Sequence, residues 1–120
     1  MLHKAVHRTQ GRVTLMDVYH DLLDGEQSLW LALDGVDIIG CCTVRINKYP
    51  TGLTTLSYEY LAGADVGRWL GEGHRVLQMY GKEFGATRLE VPQGRKGWLH
   101  HLAKLGYRQF AVRYECELEE

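Results

Sequence analysis

Two apolar segments joined by Asp34 and Gly35 constrain the fold of this chain more than any other feature of its sequence. Residues 28–33 and 36–46 are rich in Val, Ile and Leu, and the β-branched ones among them favour strands. Asp-Gly supplies the two central residues of a tight hairpin turn, where both backbone φ angles are positive. The sequence therefore predicts two antiparallel strands and places a sheet at the centre of the fold.

A third strand is predicted directly after this hairpin. A turn at Pro50 precedes residues 53–61, which are dense in Thr, Tyr and Leu. Strict alternation puts Tyr58 and Tyr60 on one face of the strand and Glu59 on the other. The three strands together form an antiparallel meander.

A stripe of small and apolar residues at helical spacing runs from residue 65 to residue 84 and predicts a helix of about five turns. Gly85 follows it at the position of a C-terminal glycine cap, and residues 86–91 read as a short strand. A strand-helix-strand crossover in one sheet makes its two strands parallel. We therefore expect residues 86–91 to run parallel to the third meander strand.

Shorter elements flank this centre. Thr14 and Asp17 have the spacing of a capping box and predict a helix over residues 14–24. A second short helix is predicted over residues 98–105 and a final alternating strand over residues 109–118. The fold class is therefore α/β of the α+β kind, with helices on both faces of one mixed sheet.

Length, charge and cysteine content narrow the class of protein. A chain of 120 residues suits one core, so we expect residues 1–120 to form a single domain. The 14 basic and 15 acidic residues leave a net charge of −1, which gives no global attraction to nucleic acid or membranes. No segment approaches the roughly 20 apolar residues of a membrane span, and no apolar core of a signal peptide is seen. The three cysteines lack metal-binding spacing, so we predict a cytoplasmic protein with reduced thiols and no metal.

The order of elements over residues 14–118 resembles that of the GNAT superfamily of acyltransferases. The most specific local match is a strand and a later lysine-leucine-glycine-aromatic turn, formed by Leu89, Glu90 and Val91 and by Lys104, Leu105, Gly106 and Tyr107. The segment from Gly94 through Arg95 and Lys96 to Trp98 looks like GNAT-like proteins of tailed bacteriophages and prophages.

This resemblance implies that acetyl-CoA is a substrate and suggests where it binds. In the family, the third meander strand carries a bulge and splays from its parallel neighbour, and the thioester lies in that gap, here near Leu61, Ala62 and Gly63. The pyrophosphate sits on a loop at the start of the main helix, and Arg68, Gly71 and Gly73 have the spacing of that loop.

Two other interpretations of the same glycine-rich segment stay open. The helix could begin at Asp65, with the aspartate capping the first N–H groups. Glycines within a helix each cost about 1 kcal/mol, so Gly67, Gly71 and Gly73 would then serve close packing against a strand or a partner.

Glu59 is the candidate general base that takes a proton from the acceptor amine. The alternative is a solvent-facing or ion-paired strand carboxylate. The tyrosine that serves as general acid in the family is replaced here by Leu102, which has no proton to donate. Tyr58, Tyr60 and Tyr107 are candidate replacements, although aromatic residues on strands mostly serve packing.

A basic and aromatic cluster formed by Arg95, Lys96 and Trp98 has two interpretations. It could bind a phosphate or a nucleic acid by charge and stacking. In the interpretation that we favour, Trp98 anchors the short helix in the core. His100 and His101 are expected on the surface of that helix.

Two functions follow from the resemblance. The first is an N-acyltransferase that transfers the acetyl group of acetyl-CoA to an amine of a small molecule or a protein. The second is an inactive GNAT-fold module that binds phage structural proteins in the host cytoplasm or the virion. In either case a homodimer is an expected partner arrangement.

Overall fold

The computed structural model describes residues 1–92 and 96–119, apart from the side chains of Lys96 and Leu99. The helices are α1 (Leu2–His7), α2 (Leu15–Leu23), α3 (Val66–Glu83) and α4 (Leu99–Ala103), and a single 3₁₀ turn over Lys96–Trp98 precedes α4. The strands are β1 (Ser28–Asp34), β2 (Asp37–Lys48), β3 (Thr54–Gly63) and β4 (Arg88–Glu90). Within the described ranges, every helix is too short or too polar to cross a membrane.

The four strands form one mixed sheet in the order β1-β2-β3-β4. β2 is antiparallel to both β1 and β3, whereas β3 and β4 are parallel, which confirms the predicted meander and crossover. On one face, Asp21 of α2 forms an ion pair with Arg45 of β2. On the other face, Tyr80 of α3 packs edge-on against Trp30 of β1, with 4.9 Å between the ring centroids. Helices therefore cover both faces, as the sequence predicts.

The start of α2 is fixed by the predicted capping box. The backbone N–H of Asp17 donates to the Thr14 hydroxyl at 3.1 Å, and the Thr14 N–H donates to the Asp17 carboxylate at 2.8 Å. These reciprocal bonds satisfy donors that the first helical turn leaves unpaired. The hydrogen bonds also lower the pKa of Asp17.

The apolar core lies between the sheet and α3. Leu56 and Tyr58 of β3 and Val44 of β2 pack there against Leu77 of α3, and all four side chains are buried. Because Leu56 and Tyr58 lie near the middle of β3, this packing holds α3 directly over the strand.

The prediction of a final strand over residues 109–118 is wrong. This segment has no regular secondary structure in the structure, and Phe110, Val112 and Tyr114 are exposed. Apolar and polar residues do alternate in this segment, but a strand also needs a neighbouring strand to pair with. β4 spans only three residues and offers little edge for such pairing. Instead, Arg12 pairs with Glu115 and ties the segment to the chain that follows α1.

Two glycines allow β2, β3 and α3 to meet closely. Gly40 and Gly63 are paired across β2 and β3, and the indole of Trp69 lies on Gly40 while its N–H donates to the Ala64 carbonyl at 2.8 Å. A β-carbon at Gly40 would fall 2.4 Å from the indole ring. A β-carbon at Gly63 would fall 2.5 Å from the Gly40 backbone. The start of α3 is therefore fixed against the end of β3 by this contact.

Gly40→Ala should lower the free energy of unfolding by about 1–3 kcal/mol, because the methyl group forces the indole of Trp69 out of place. Urea denaturation measures the change. Gly71→Ala is the matched control: a methyl group there meets nothing within 4 Å, and the residue is in α3. That variant should gain roughly 1 kcal/mol from helix propensity. Equal stability of the two variants would contradict the packing described here.

Candidate active site

A β-bulge in β3 is the feature around which the candidate site is built. Thr43 of β2 pairs with Tyr60 and the next residue, Val44, pairs with Tyr58, so Glu59 has no partner in β2. A bulge of this kind bends the strand and changes the direction of side chains that follow it. The sequence signal of strict alternation could not reveal this extra residue.

The bulge corrects the predicted faces of β3. Thr43 and Val44 are neighbours in β2 and point to opposite faces, and residues paired across a ladder share a face. Tyr58 therefore faces the core under α3, whereas Tyr60 faces α2. Burial, followed by the neighbouring Glu59 carboxylate, raises the pKa of Tyr60.

β3 and β4 separate at the bulge. Their parallel pairing covers Thr55 to Ser57 on β3 and ends with Ser57 opposite Glu90. β3 continues to Gly63, so among the described residues its edge over 58–63 has no paired strand on the β4 side. Backbone N–H and C=O groups on that edge are left for other partners. The wedge between the two strands opens into two adjoining clefts.

The first cleft is basic and reaches the start of α3. Its volume is about 610 Å³. The backbone of β3 at Leu61, Ala62 and Gly63 forms one wall, together with Val66 and the indole of Trp98. Four side chains that can carry positive charge also line it, namely His3, Lys4, Arg8 and His101. This combination suits an anionic ligand.

The beginning of α3 adds N–H donors to this cleft. Asp65 precedes the helix in a left-handed conformation, with φ of 51°, and within the described residues its carboxylate makes no capping hydrogen bond. The alternative in which the helix begins at Asp65 is therefore correct for the start of the helix, whereas the capping by the aspartate side chain is not seen in the described part of the chain. The Arg68 N–H donates to the Asp65 carbonyl at 2.8 Å, whereas the N–H groups of Val66 and Gly67 have no backbone partner among the described residues, and Val66 lines the cleft. Such groups and the helix dipole favour an anion.

The second cleft lies on the other side of Leu61. It has a volume of about 290 Å³. Tyr58, Glu59 and Tyr60 form its floor, and Trp98 closes the side shared with the first cleft. Arg8 and Arg113 also line it.

Glu59 is held by a polar network on the α2 face of the sheet. Its Oε1 accepts from Arg45 Nε at 3.1 Å and from the Ser57 hydroxyl at 3.0 Å. Arg45 also donates to Asp21 at 2.9 Å. Glu59 is therefore an ion-paired carboxylate, as in the alternative interpretation of the sequence. The same carboxylate also lines the second cleft. Its role as a base stays a prediction.

Three ring systems form a separate hydrogen-bonded group on the α3 face. The Tyr107 hydroxyl lies 3.0 Å from His74 Nδ1 and 3.4 Å from the Tyr58 hydroxyl. Burial raises the pKa of both Tyr58 and Tyr107, so both phenols remain protonated at neutral pH. Burial lowers the pKa of His74. Tyr107 thus ties the chain after α4 to β3 and α3.

The predicted site residues fall into two groups. Leu61, Ala62 and Gly63 do line the first cleft, at the end of β3. Arg68, Gly71 and Gly73 lie inside α3 rather than in a loop, and Arg68 pairs with Asp34 at 3.0 Å. A β-carbon at Gly71 or Gly73 would meet nothing within 4 Å, so close packing does not explain either glycine. Their role in binding phosphate stays a prediction.

The segment before α4 is only partly described. Gly94 and Arg95 lie outside the described residues. Trp98 is buried, with 8% of its surface exposed, which confirms it as an anchor in preference to a stacking surface. His101 turns towards α3, where a β-carbon at Gly67 would lie 3.1 Å from its ring.

Sequence reasoning missed the basic residues that line the clefts. His3, Lys4 and Arg8 are carried by α1 or follow it directly, and α1 was not predicted as a helix. The signal was present as a basic, histidine-containing N-terminal segment. Arg113 gave no signal, because it lies in the segment that alternation assigned to a strand.

Known structures provide the comparison. No model of a protein family matches the sequence, and no curated protein matches it. The crystal structure of a probable acetyltransferase superposes with a TM-score of 0.72 at 13% identity, covering 99% of this chain and 88% of that one. A putative acetyl transferase from Pyrococcus furiosus gives 0.67 at 17% identity, with 98% and 89% covered. Glucosamine-6-phosphate N-acetyltransferase from Arabidopsis thaliana gives 0.64 at 12% identity, with 97% and 88% covered.

The fold is that of the GNAT acetyltransferases. At these identities the likeness concerns the fold alone. The resemblance to phage proteins finds no support in these structures, and neither does the alternative of a phage module.

His74 should make stability depend on pH. Because its pKa is lowered in the folded state from 6.5, the unfolded chain binds the proton more readily, and stability is lost as the pH falls through 6.5. His74→Gln should flatten this part of the profile, measured by urea denaturation at pH 7.5 and pH 5.5. His100→Gln is the control on an exposed helix position. An unchanged slope in His74→Gln would contradict the effect of burial.

Proposed function

We propose that this chain is an N-acetyltransferase that transfers the acetyl group of acetyl-CoA to an amine. The observation that carries the proposal is the bulge at Glu59 together with the separation of β3 from β4 after Ser57. These features leave a strand edge free at the point where the two clefts meet. The acetyltransferase fold of the matching structures supports the same function.

The first cleft fits coenzyme A in chemistry. The coenzyme carries phosphates at one end and an extended arm with two amide groups that ends in the thioester. Lys4, Arg8 and the first turn of α3 supply positive charge and N–H donors for phosphates. The free edge of β3 over 58–63 offers backbone groups to the amides of the arm. The thioester would then lie near Leu61, which lines both clefts.

The proposed reaction takes place in the second cleft. The amine nitrogen attacks the thioester carbonyl carbon, the N–C bond forms, and the C–S bond breaks. Glu59 takes the proton that the nitrogen loses. The sulfur leaves as thiolate and takes a proton from water, since Leu102 supplies none, and the hydroxide so formed takes the proton that Glu59 holds. An amine and a thioester thus become an amide and a thiol with no net change in protons.

Acetyl-CoA should bind to the purified protein, and Lys4→Gln should weaken it. A lost charged contact to phosphate corresponds to a rise in Kd of roughly tenfold or more, and the difference should shrink at high salt. Isothermal calorimetry measures both values. Lys82→Gln, at the far end of α3, is a control with the same change in charge.

The same titration tests the glycine-rich part of α3. Gly71→Ala should leave the Kd of acetyl-CoA unchanged, because its N–H is already within the helix. A large loss of affinity for acetyl-CoA in Gly71→Ala would instead support the phosphate-binding loop that the sequence predicts. If the wild-type protein shows no binding of acetyl-CoA, the proposed function is wrong.

Glu59→Gln should reduce acetyl transfer by about 100-fold or more while acetyl-CoA binds as before. Glutamine keeps the size of the side chain and can still accept from Arg45 and Ser57, so the cost in stability is at most about 1 kcal/mol. Turnover with a panel of amines, followed by release of free thiol, measures the effect. Glu26→Gln removes another carboxylate near Arg45 and should keep full activity. Equal activity of the two variants would remove Glu59 from the mechanism.

A further inference from the structure

The second cleft carries charges of both signs at separate places. Glu59 lies on its floor, where Arg45 and Ser57 hold one oxygen of the carboxylate. Arg8 and Arg113 lie on its walls, and both are exposed. Among the described residues, neither arginine has an acidic partner within ion-pair distance. The two guanidinium groups are thus available to a ligand, which must be negatively charged to use them.

The size of the cleft limits that ligand. Its volume is about 290 Å³. At roughly 30 Å³ for each water molecule, this space corresponds to about ten waters, or a ligand of about ten non-hydrogen atoms. The wall is mixed: apolar surface from Ala5, Leu61 and Val91 and from the ring of Trp98 lies beside the two arginines and Glu59. A compact molecule with a short carbon skeleton fits this space better than a long or bulky amine.

We propose that the acetyl acceptor is a small amine that also carries a carboxylate or phosphate, and that Arg113 binds this anionic group. The inference rests on the proposed function and adds the class of the acceptor. Guanidinium groups bind carboxylates and phosphates through two parallel hydrogen bonds, which fixes the orientation of the ligand. With the anion at Arg113, the opposite end of the ligand carries the amine towards Glu59.

Arg113 separates this role from coenzyme A binding. Arg8 lines both clefts, whereas Arg113 lines the second cleft and is absent from the described lining of the first. Its position depends on the segment after α4, which runs past the wedge without forming a strand and is tied to Arg12 through Glu115. This segment therefore places the guanidinium group of Arg113 at the wedge.

Matched acceptors test the proposal. Alanine and alanine amide differ in one carboxylate, and phosphoethanolamine and ethanolamine differ in one phosphate. We expect kcat/KM to be at least tenfold higher for the anionic member of each pair. The pair with the larger difference shows whether the acceptor carries a carboxylate or a phosphate. Arg113→Gln should raise KM for the anionic acceptors about tenfold, with kcat, the neutral acceptors and the Kd of acetyl-CoA unchanged. Arg113→Lys should recover part of the loss.

Arg108→Gln is the matched control. This arginine lies in the same segment, and its guanidinium stacks 5.5 Å from the ring centre of Phe110. It should leave KM unchanged. Equal use of charged and neutral acceptors, or an unchanged KM in Arg113→Gln, would overturn the proposal even if acetyl transfer is found.

Binding without transfer provides an independent measurement. Saturation-transfer NMR with alanine and phosphoethanolamine, without acetyl-CoA, should detect binding of an anionic amine to the wild-type protein and its loss in Arg113→Gln. No binding of either compound at millimolar concentration would overturn the inference. Binding of both in the absence of any response to acetyl-CoA would support the anion site and contradict only the proposed acetyl transfer.

Discussion

Glu59 occupies a position in β3 that has no counterpart in β2, and the strand bends there to accommodate it. The parallel ladder with β4 ends two residues earlier, at Ser57, so the bend coincides with the point where β3 loses its second neighbour. Because β4 ends at Glu90, the backbone groups over 58–63 have no paired strand on that side among the described residues. The two clefts open beside this stretch of β3, and the Glu59 carboxylate lines one of them.

The electrostatic character of the site comes from elements far apart in the sequence. Lys4 and Arg8 come from the N-terminal segment, His101 from α4, and Arg113 from the end of the chain. A chain with a net charge of only −1 thus has a locally basic wedge. The two clefts therefore differ in electrostatic character. The first has positive charge beside N–H donors, and the second has both positive and negative charge.

The repetitive part of the fold was predictable from the sequence, whereas its irregular part was not. The hairpin at Gly35, the capping box of Thr14 and the stripe of α3 are local signals, and the structure contains all three features. The two turn residues of the hairpin are Gly35 and Val36 rather than the predicted Asp34 and Gly35, because Asp34 ends β1 and pairs with Asp37. The bulge depends on the register between two strands, which no single segment encodes. The final segment has a strand pattern around Val112 but lacks a partner in the sheet. Leu61 to Gly63 do lie at the wedge, as the family resemblance implies, and their role in binding acetyl-CoA stays a prediction. The cationic residues could not be found from the sequence, because that requires knowing which distant segments meet.

The packing of Trp69 on Gly40, beside Gly63, has a consequence for how such a chain can change over time. A β-carbon at position 40 is compatible only with a smaller side chain at position 69, and one at position 63 requires the backbone at 40 to move. The three positions can therefore be replaced only in a coordinated manner. In an alignment of chains that keep this wedge, covariation should appear among positions 40, 63 and 69, although none of them carries a reactive group.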